Sequence, residues 1–332
     1  MKLSILIPHF GPIDLLMECL ASLNLGMGTV FQYEILVCDQ SDPEVYQKNK
    51  SLVEARFPSM PISFYHRSDK HVLRARHDLI QKATGDYVSY VDSDDLVTKG
   101  YFSLIEQAII TEHFPDIYIG GFTLCNSLGK PQKTKPFLPG DVKDHILDYF
   151  LFTYLLNSVV IKVFRRALYD VRDYSDFETI NGDDWVFSYP LILKAKTIAF
   201  YPQNNGYYYR QHASSTTHRF SLEVGIRSLH FSDSAIRARM PLNPYQNALL
   251  TLGRVSQFLS VSAGMLLNAG FSFGDFFKLC EHFRETVFIP FGLSETFKLD
   301  LKKKICFYLI KYRRFKFLWL ILKARLGRRR HE

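Results

Sequence analysis

Short apolar runs alternate with helix-like segments over the first third of the chain. Four runs rich in apolar residues predict strands: LSILI, YEILVCD, PISFYH and DYVSYVD. Each run is followed by a segment whose apolar residues recur at helical spacing: PIDLLMECLASL, PEVYQKNKSLVEARF, HVLRARHDLIQKA and TKGYFSLIEQAI. This alternation is typical of parallel βαβ units with right-handed crossovers. It predicts an α/β fold in which helices flank a mostly parallel sheet.

The pattern changes further along the chain. DIYIGGFTL predicts one more strand, and the following GKPQKTKPFLPG is either a cover over a site or an exposed hairpin. The uncharged stretch from Val255 to Gly274 contains six polar residues, which favours a buried helix pair over a membrane span. We expect an α/β domain over residues 1–220, a helical region over 221–300 and a tail over 301–332.

The charge is concentrated in that tail. The chain has a net charge of +8, and residues 302–332 contain twelve Lys or Arg and one acid, so the rest is slightly acidic. Two apolar groups, ICFYLI and FLWLIL, alternate there with basic clusters. This arrangement predicts attachment to an anionic membrane surface; the alternative is a packed C-terminal helix with a solvated basic face. A nucleic-acid partner is not expected, because no recognised binding motif accompanies the charge.

Cysteine usage and the first residues indicate the compartment. The five cysteines are scattered and form no CxxC pair, which fits reduced thiols in a cytosolic protein. The first apolar run stops at Pro8 and His9, so a secretory signal is not expected. Together with the tail, these features predict a cytoplasmic protein attached peripherally to the inner face of the cell membrane.

Three carboxylates follow the fourth predicted strand: Asp92, Asp94 and Asp95. Carboxylates this close repel one another unless a positive group lies among them, and a metal ion is the simplest such group. Mg²⁺ and Mn²⁺ prefer oxygen ligands, and Mg²⁺ is commonly held by one or two carboxylates together with substrate phosphates. Asp92 and Asp94 therefore predict a cation site that takes a diphosphate. The alternative is that Asp94 or Asp95 caps a helix starting near Thr98.

The loops after the predicted strands carry further polar and aromatic residues. In parallel sheets the ligand binds beyond the carboxyl ends of the strands. The residues that follow such ends are therefore expected to converge on one crevice: His9, Phe10, Asp39, Ser41, Asp92 and Asp94.

Three segments resemble the signature segments of the family 2 inverting glycosyltransferases, nucleotide-sugar enzymes of the GT-A fold: LSILIPHFG, ILVCDQSD and LRARHDLIQKATGDYVSYVDSDD. The resemblance covers about residues 1 to 215 and implies a Rossmann-like sheet. The chain departs from the family at His77, where Asn is usual, and at Gln40, where a second acid is usual. The resemblance implies that the donor is bound by Pro8, His9, Phe10, Asp39, Arg76, Asp92 and Ser93.

Two later segments, NGDDWVFSYPLIL and GYYYRQHASSTTHRF, also resemble segments of the family. The first implies Asp184 as the general base, while Asp183 either caps the helix or contacts the acceptor or a phosphate. The second implies that Arg210 contacts a phosphate or the acceptor. It also implies that His212 is a third metal ligand or a diphosphate contact; the alternative is an ordinary hydrogen-bonded His. The three tyrosines before Arg210 either stack on sugar faces or belong to a core strand.

These implications predict an inverting glycosyltransferase that depends on Mn²⁺ or Mg²⁺. Its donor is a nucleotide sugar, with UDP the commonest nucleotide in the family. Its acceptor is a hydroxyl of a growing cell-surface glycan or lipid-linked acceptor, of lipopolysaccharide, capsule or O-antigen type. The alternatives are a phosphatase or nucleotidyltransferase that uses the same carboxylates, and a non-catalytic protein that binds a membrane surface or nucleic acid. A dehalogenase-like phosphatase would carry its paired aspartates after the first strand, whereas here they follow the fourth.

Overall fold

The computed structural model describes residues 1–134, 158–170, 183–211, 242–259, 270–286 and 301–329. These residues form two compact units. The first unit contains the described residues up to 134 together with 158–170 and 190–211. The second contains 183–189 and the described residues from 242 onward. The prediction for His212 and the second half of the Pro- and Lys-rich loop lie outside the described residues.

A seven-stranded sheet forms the centre of the first unit, in the order β10-β6-β9-β4-β1-β2-β3. Strand β1 pairs in parallel with β2 and β4, and β2 pairs in parallel with β3, while β9 runs antiparallel to β4 and β6. The predicted parallel core is therefore present, with one antiparallel strand added. The strands of this sheet are β1 (Lys2–His9), β2 (Gln32–Asp39), β3 (Ile62–His66), β4 (Tyr87–Tyr90), β6 (Ile117–Ile119), β9 (Lys162–Arg165) and β10 (Ile198–Phe200).

The four helices predicted in this region are present, and one of them starts later than predicted. The fourth helix begins at Tyr101 rather than near Thr98, because the preceding Gly100 takes a positive φ of 73°. Residues just after the carboxylates form a short strand instead of a helix. The helices are α1 (Ile13–Gly26), α2 (Pro43–Arg56), α3 (Val72–Lys82) and α4 (Tyr101–Thr111).

A second, four-stranded sheet contains β5 (Leu96–Val97), β11 (Tyr207–Arg210), β7 (Phe122–Cys125) and β8 (Pro131–Thr134), in that order. The strand predicted from DIYIGGFTL is split between the two sheets at Gly120 and Gly121. At Gly121 an added Cβ would lie 2.5 Å from the Pro202 carbonyl oxygen, so only glycine allows this close approach of the backbones. Strands β7 and β8 form an antiparallel hairpin, and Pro131 and Gln132 at the start of β8 are exposed, which agrees with the exposed-hairpin alternative for this described part.

The second unit is helical where it is described. Its helices are α5 (Asp183–Lys194, up to residue 189), α6 (Pro244–Gln257), α7 (Phe273–Thr286), α8 (Leu301–Lys311) and α9 (Phe315–Arg329). Helices from both sides of the predicted boundary at residue 300 share one apolar core. Its aromatic centre includes Phe258 stacked on Phe283 with ring centroids 4.3 Å apart, and Trp319 lies 5.1 Å from Phe276. Within the described ranges, no helix has both the length and the apolar character needed to cross a membrane.

This packing bears on the predicted membrane-surface role of the tail, because it buries part of the apolar groups of the tail. Of the FLWLIL group, Leu318, Trp319 and Leu322 are buried in the shared core. An amphipathic helix buries its apolar stripe against neighbouring helices when these are available. The packed-helix alternative therefore describes α8 and the first half of α9, and Trp319 is not available to enter lipid headgroups.

Candidate active site

The carboxyl ends of β1, β2, β3 and β4 lie at the same edge of the large sheet, because these strands are parallel. His9 at the end of β1 is the register partner of Asp39 at the end of β2. The strand order changes direction between β1 and β4, which is where parallel sheets open a ligand crevice. His9 and the residues after β4 are brought together there, since His9 Nδ1 lies 3.0 Å from Ser93 Oγ.

His9 is fully enclosed at this edge. Burial lowers the pKa of His9, so the imidazole is neutral at neutral pH. Its Nδ1 contacts Ser93, whereas Nε2 is buried and has no hydrogen-bond partner among the described residues. A buried polar atom without a partner costs free energy. A ligand that hydrogen-bonds to His9 Nε2 would remove this cost.

The two neighbours of His9 differ sharply in exposure. Pro8 is buried within β1, whereas the Phe10 ring is 50% exposed. Lys70 Nζ lies 4.9 Å from the centroid of the Phe10 ring, within the range of a cation–π contact. An exposed aromatic ring at the ligand edge of a sheet suits stacking on a nucleobase, and this role of Phe10 stays a prediction.

Asp39 is a buried carboxylate with two internal partners. Its Oδ1 accepts the Ser41 N–H at 2.9 Å, and its Oδ2 accepts from Asn49 Nδ2 on α2 at 2.9 Å. Each carboxylate oxygen has two lone pairs, so these bonds leave acceptor capacity for a nucleotide. Gln40, one of the two departures from the family, is also buried and donates to the Asp69 carbonyl at 2.6 Å.

Arg76 is a positive group beside the carboxylate turn. It is buried on α3, and its Nη2 lies 3.3 Å from Asp92 Oδ1. Carboxylates this close repel one another unless a positive group lies among them, and Arg76 is one such group beside Asp92. The predicted position of Arg76 near a diphosphate stays a prediction.

The second departure from the family, His77, also lies on α3. Its Nδ1 lies 2.6 Å from the hydroxyl of Tyr169. Burial lowers the pKa of His77 to about 4, so its ring is neutral at neutral pH. A neutral imidazole has one hydrogen-bond donor and one acceptor. His77 is therefore an uncharged hydrogen-bonding group, as the family's Asn is.

Asp95 has a different environment from the other two carboxylates. It is 1% exposed, accepts the Tyr207 hydroxyl at 2.6 Å and accepts the Arg210 N–H at 2.7 Å. Burial, reinforced by repulsion from Asp94 and Asp92, raises the pKa of Asp95. Helix α4 has Gly100 at its N-cap and no side-chain cap, so the helix-cap alternative is wrong.

The prediction of a cation site now concerns two carboxylates of the turn, Asp92 and Asp94. Within the described ranges, no group of three or more His, Cys, Asp or Glu side chains is suited to a metal ion. Asp94 is half-buried, and Asp95 is occupied by Tyr207 and Arg210. Two carboxylates fit a Mg²⁺ or Mn²⁺ ion that also takes oxygens from a substrate's phosphates.

Strand β11 contributes core residues and one buried arginine side chain. Tyr207 is fully buried, so the core-strand alternative holds for it, whereas Tyr208 and Tyr209 are half-buried. Arg210 is 2% exposed, and its Nη1 donates to Glu18 Oε2 on α1 at 2.6 Å. The Nε and Nη2 atoms of Arg210 are buried and have no hydrogen-bond partner among the described residues. These two donors fit the predicted contact with a phosphate or acceptor.

Asp183 and Asp184 are the first two residues of α5, in the second unit. The partial positive charge at a helix N-terminus stabilises carboxylates in the first turn. Asp184 is half-buried. A half-buried carboxylate that keeps some access to solvent is suited to accept a proton from a substrate.

The comparisons with known proteins agree with this fold. The model of the Glycosyl transferase family 2 matches residues 4–174, just over half of the chain, and the chain belongs to this family. The chain is similar in structure to Staphylococcus aureus TarS 1–349, solved with UDP-GlcNAc, at a TM-score of 0.69 and 14% identity. The match covers 99% of this chain and 92% of the TarS chain. A mannosyltransferase from Pyrobaculum calidifontis, with GDP-Man and Mn²⁺, covers 97% and 85% at a TM-score of 0.52 and 12% identity. The predicted GT-A-type α/β fold is confirmed.

Curated relatives are similar over part of their length. An uncharacterized glycosyltransferase, YwdF of Bacillus subtilis, is 29% identical over 192 residues, which are 56% of this chain and 66% of the relative. A poly(ribitol-phosphate) beta-glucosyltransferase of Bacillus spizizenii is 27% identical over 210 residues, 63% of this chain and 32% of the relative. The chain therefore spans about two thirds of the first relative and about a third of the second.

Proposed function

We propose that this chain is a metal-dependent inverting glycosyltransferase that transfers a sugar from a UDP-sugar to a hydroxyl of a growing cell-surface glycan. The observation that carries the proposal is the meeting of His9, Ser93, Asp92 and Arg76 at the ligand edge of a family 2 sheet. Support for the donor comes from the TarS structures, which were solved with UDP-GlcNAc and with UDP. The Mn²⁺ in the mannosyltransferase structure supports a metal ion.

The donor end of the site would bind and neutralise the nucleotide. Phe10 stacks on the base, while Pro8, His9 and Asp39 line the nucleotide pocket, with His9 Nε2 hydrogen-bonding to it. Asp92 and Asp94 would hold Mn²⁺ or Mg²⁺ together with the diphosphate, with His212 as a third ligand or a diphosphate contact. When bound, the ion would supply positive charge against the leaving diphosphate. Arg76 orients Asp92 and adds positive charge beside the phosphates.

Asp184 is the proposed general base of the reaction. The Asp184 carboxylate takes the proton of the acceptor hydroxyl as its oxygen attacks the anomeric carbon and the bond to the diphosphate breaks. Direct displacement inverts the anomeric centre, so an α-linked donor gives a β-linked product. The names of two relatives, a beta-glucosyltransferase and a beta-N-acetylglucosaminyltransferase, fit this outcome. Asp183 and Arg210 contact the acceptor or a phosphate.

The names of the relatives, rather than the fold, support a class of glycan acceptor. Two of them are named for transfer to poly(ribitol-phosphate). We therefore add a polyol-phosphate polymer to the lipopolysaccharide, capsule and O-antigen acceptors suggested by the sequence. A polyanionic acceptor also suits the strongly basic C-terminal segment through charge complementarity.

Nucleotide binding tests the donor assignment. A ligand that binds only the folded state at 100 times its Kd stabilises that state by about 2.7 kcal/mol. UDP with Mn²⁺ is therefore expected to raise the melting temperature by roughly 5 °C or more, and UDP without Mn²⁺ by less. GDP and dTDP with Mn²⁺ serve as controls for the base. If no nucleotide changes the melting temperature, the proposed donor class is wrong, and phosphate release without UDP release would support the phosphatase alternative.

We propose that an exposed face of helix α9 binds the membrane surface. The exposed apolar side chains of α9 include Phe317, Leu320 and Ile321, and the exposed Lys316 directly precedes Phe317. The Lys323 ammonium lies 4.9 Å from the centroid of the Trp319 ring. Apolar residues next to basic ones suit the surface of an anionic bilayer. This face, rather than Trp319, would place the enzyme peripherally on the inner side of the membrane.

Replacing Phe317 and Leu320 together by Ser is expected to weaken binding to phosphatidylglycerol vesicles at least about tenfold, because two exposed apolar contacts are lost. Both side chains are exposed, so the melting temperature should change little. Leu128→Ser, which alters an exposed Leu of the β7–β8 hairpin, is the matched control and should leave binding unchanged. Co-sedimentation measures the effect, and equal binding by both variants would leave no membrane role for this face.

A further inference from the structure

One buried hydroxyl ties the carboxylate turn to β11. The Tyr207 hydroxyl donates to Asp95 Oδ2 at 2.6 Å and accepts the Asp92 backbone N–H at 3.2 Å. The Arg210 backbone N–H donates to the other Asp95 oxygen at 2.7 Å. The turn itself is closed by the Asp95 N–H, which donates to the Asp92 carbonyl at 3.0 Å. Both ends of the four-residue turn are thereby attached to one strand of the small sheet.

This turn lies where the chain passes from one sheet to the other. Strand β4, before the turn, pairs in the large sheet, and β5, after it, pairs with β11 through Val97 opposite Tyr207. The side chains of Asp95 and Tyr207 are fully enclosed, so neither presents surface to a ligand. Any effect of Asp95 and Tyr207 on ligand binding therefore acts through Asp92 and Asp94, which are only half-buried.

We propose that Asp95 and Tyr207 are positioning residues, which fix the backbone of the turn so that Asp92 and Asp94 bind a divalent cation together with a nucleoside diphosphate. The inference rests on the proposed function, since it says that these two residues hold the donor site in its binding geometry. Ligand groups have to be held close to their productive geometry by contacts that lock their supporting backbone. The Tyr207 hydroxyl is such a contact for the backbone of Asp92.

Tyr207→Phe removes the hydroxyl and little else. Binding of Mn²⁺ in the presence of UDP is measured from the electron paramagnetic resonance signal of free Mn²⁺, and the melting temperature is measured without either ligand. The matched control is Tyr87→Phe: Tyr87 is fully buried on β4 and donates to the Pro115 carbonyl at 2.6 Å, away from the turn. Tyr207→Phe loses two buried hydrogen bonds and Tyr87→Phe loses one, so both variants should melt at a lower temperature. Only Tyr207→Phe is expected to weaken Mn²⁺–UDP binding, by about tenfold.

A double-mutant cycle tests whether Asp95 and Tyr207 act together. Asp95→Asn keeps the shape of the side chain and weakens the same contact. If Asp95 and Tyr207 act as one unit, the double variant binds Mn²⁺–UDP about as tightly as the single variant that has the lower affinity. Wild-type affinity in Tyr207→Phe, equal weakening in Tyr87→Phe, or fully additive effects would overturn the proposal. If the unaltered protein binds no Mn²⁺ with UDP, the proposed function fails as well, so the two failures are distinguishable.

Discussion

Asp94→Asn is expected to abolish sugar transfer and Mn²⁺-dependent binding of UDP while the fold stays intact. In the proposed metal site the substitution removes one of the two carboxylate ligands, Asp92 and Asp94. The hydrogen bonds from Tyr207 and Arg210 go to Asp95, so the change leaves the anchor of the turn in place. Calorimetric titration with UDP and Mn²⁺ measures binding, and release of UDP from the donor sugar measures transfer.

Asp86→Asn is the matched control for this prediction. Asp86 directly precedes β4 at its opposite end and accepts the Lys2 backbone N–H at 2.9 Å. The same loss of charge there should leave UDP binding and transfer unchanged. Wild-type turnover by Asp94→Asn would exclude the metal site, and an equal defect in both variants would indicate a general loss of folding.

The sheet and its ligand edge could be predicted because they depend on local patterns. Apolar runs and amphipathic segments alternate regularly from β1 to α4, and parallel order then brings the strand ends to one edge. This parallel order predicts that His9 and Asp39 lie side by side, and the two residues are register partners at the ends of β1 and β2. The positions of helix starts depend on single residues, and the positive φ of Gly100 moved the start of α4 past the predicted position.

The contacts that fix the site could not be predicted from local patterns. Tyr207 bonds to a residue 112 positions away, and Arg210 pairs with Glu18 across 192 positions, and no hydrophobic period links such residues. The run YYYR suits an aromatic binding platform and a core strand equally well. Only the pairing of β11 with β5 and β7 decides between them, because it encloses Tyr207. Glu18 lies on a helix whose pattern indicates nothing beyond amphipathic packing.

The C-terminal tail shows what amino-acid composition alone cannot predict. Its apolar and basic groups predict an amphipathic segment, but composition does not say which apolar residues find neighbouring helices. Trp319 is the most conspicuous membrane-type residue of the tail in the sequence, and it packs between Phe273 and Phe276 of α7. The less conspicuous Phe317 and Ile321 are the exposed ones.

Asp184→Asn is expected to keep Mn²⁺–UDP binding and to lower transfer by roughly 10²-fold or more, the effect of losing a general base. An amide cannot take the proton of the attacking hydroxyl, whereas it preserves the size of the side chain in the first turn of α5. Asp275→Asn is the matched control, because Asp275 lies in the first turn of α7 and its carboxylate accepts the Ser272 hydroxyl at 2.7 Å. The control should retain both binding and transfer. A parallel loss of UDP affinity and transfer in Asp184→Asn would instead assign Asp184 to the phosphate side of the reaction, and unchanged transfer would remove it from the chemistry.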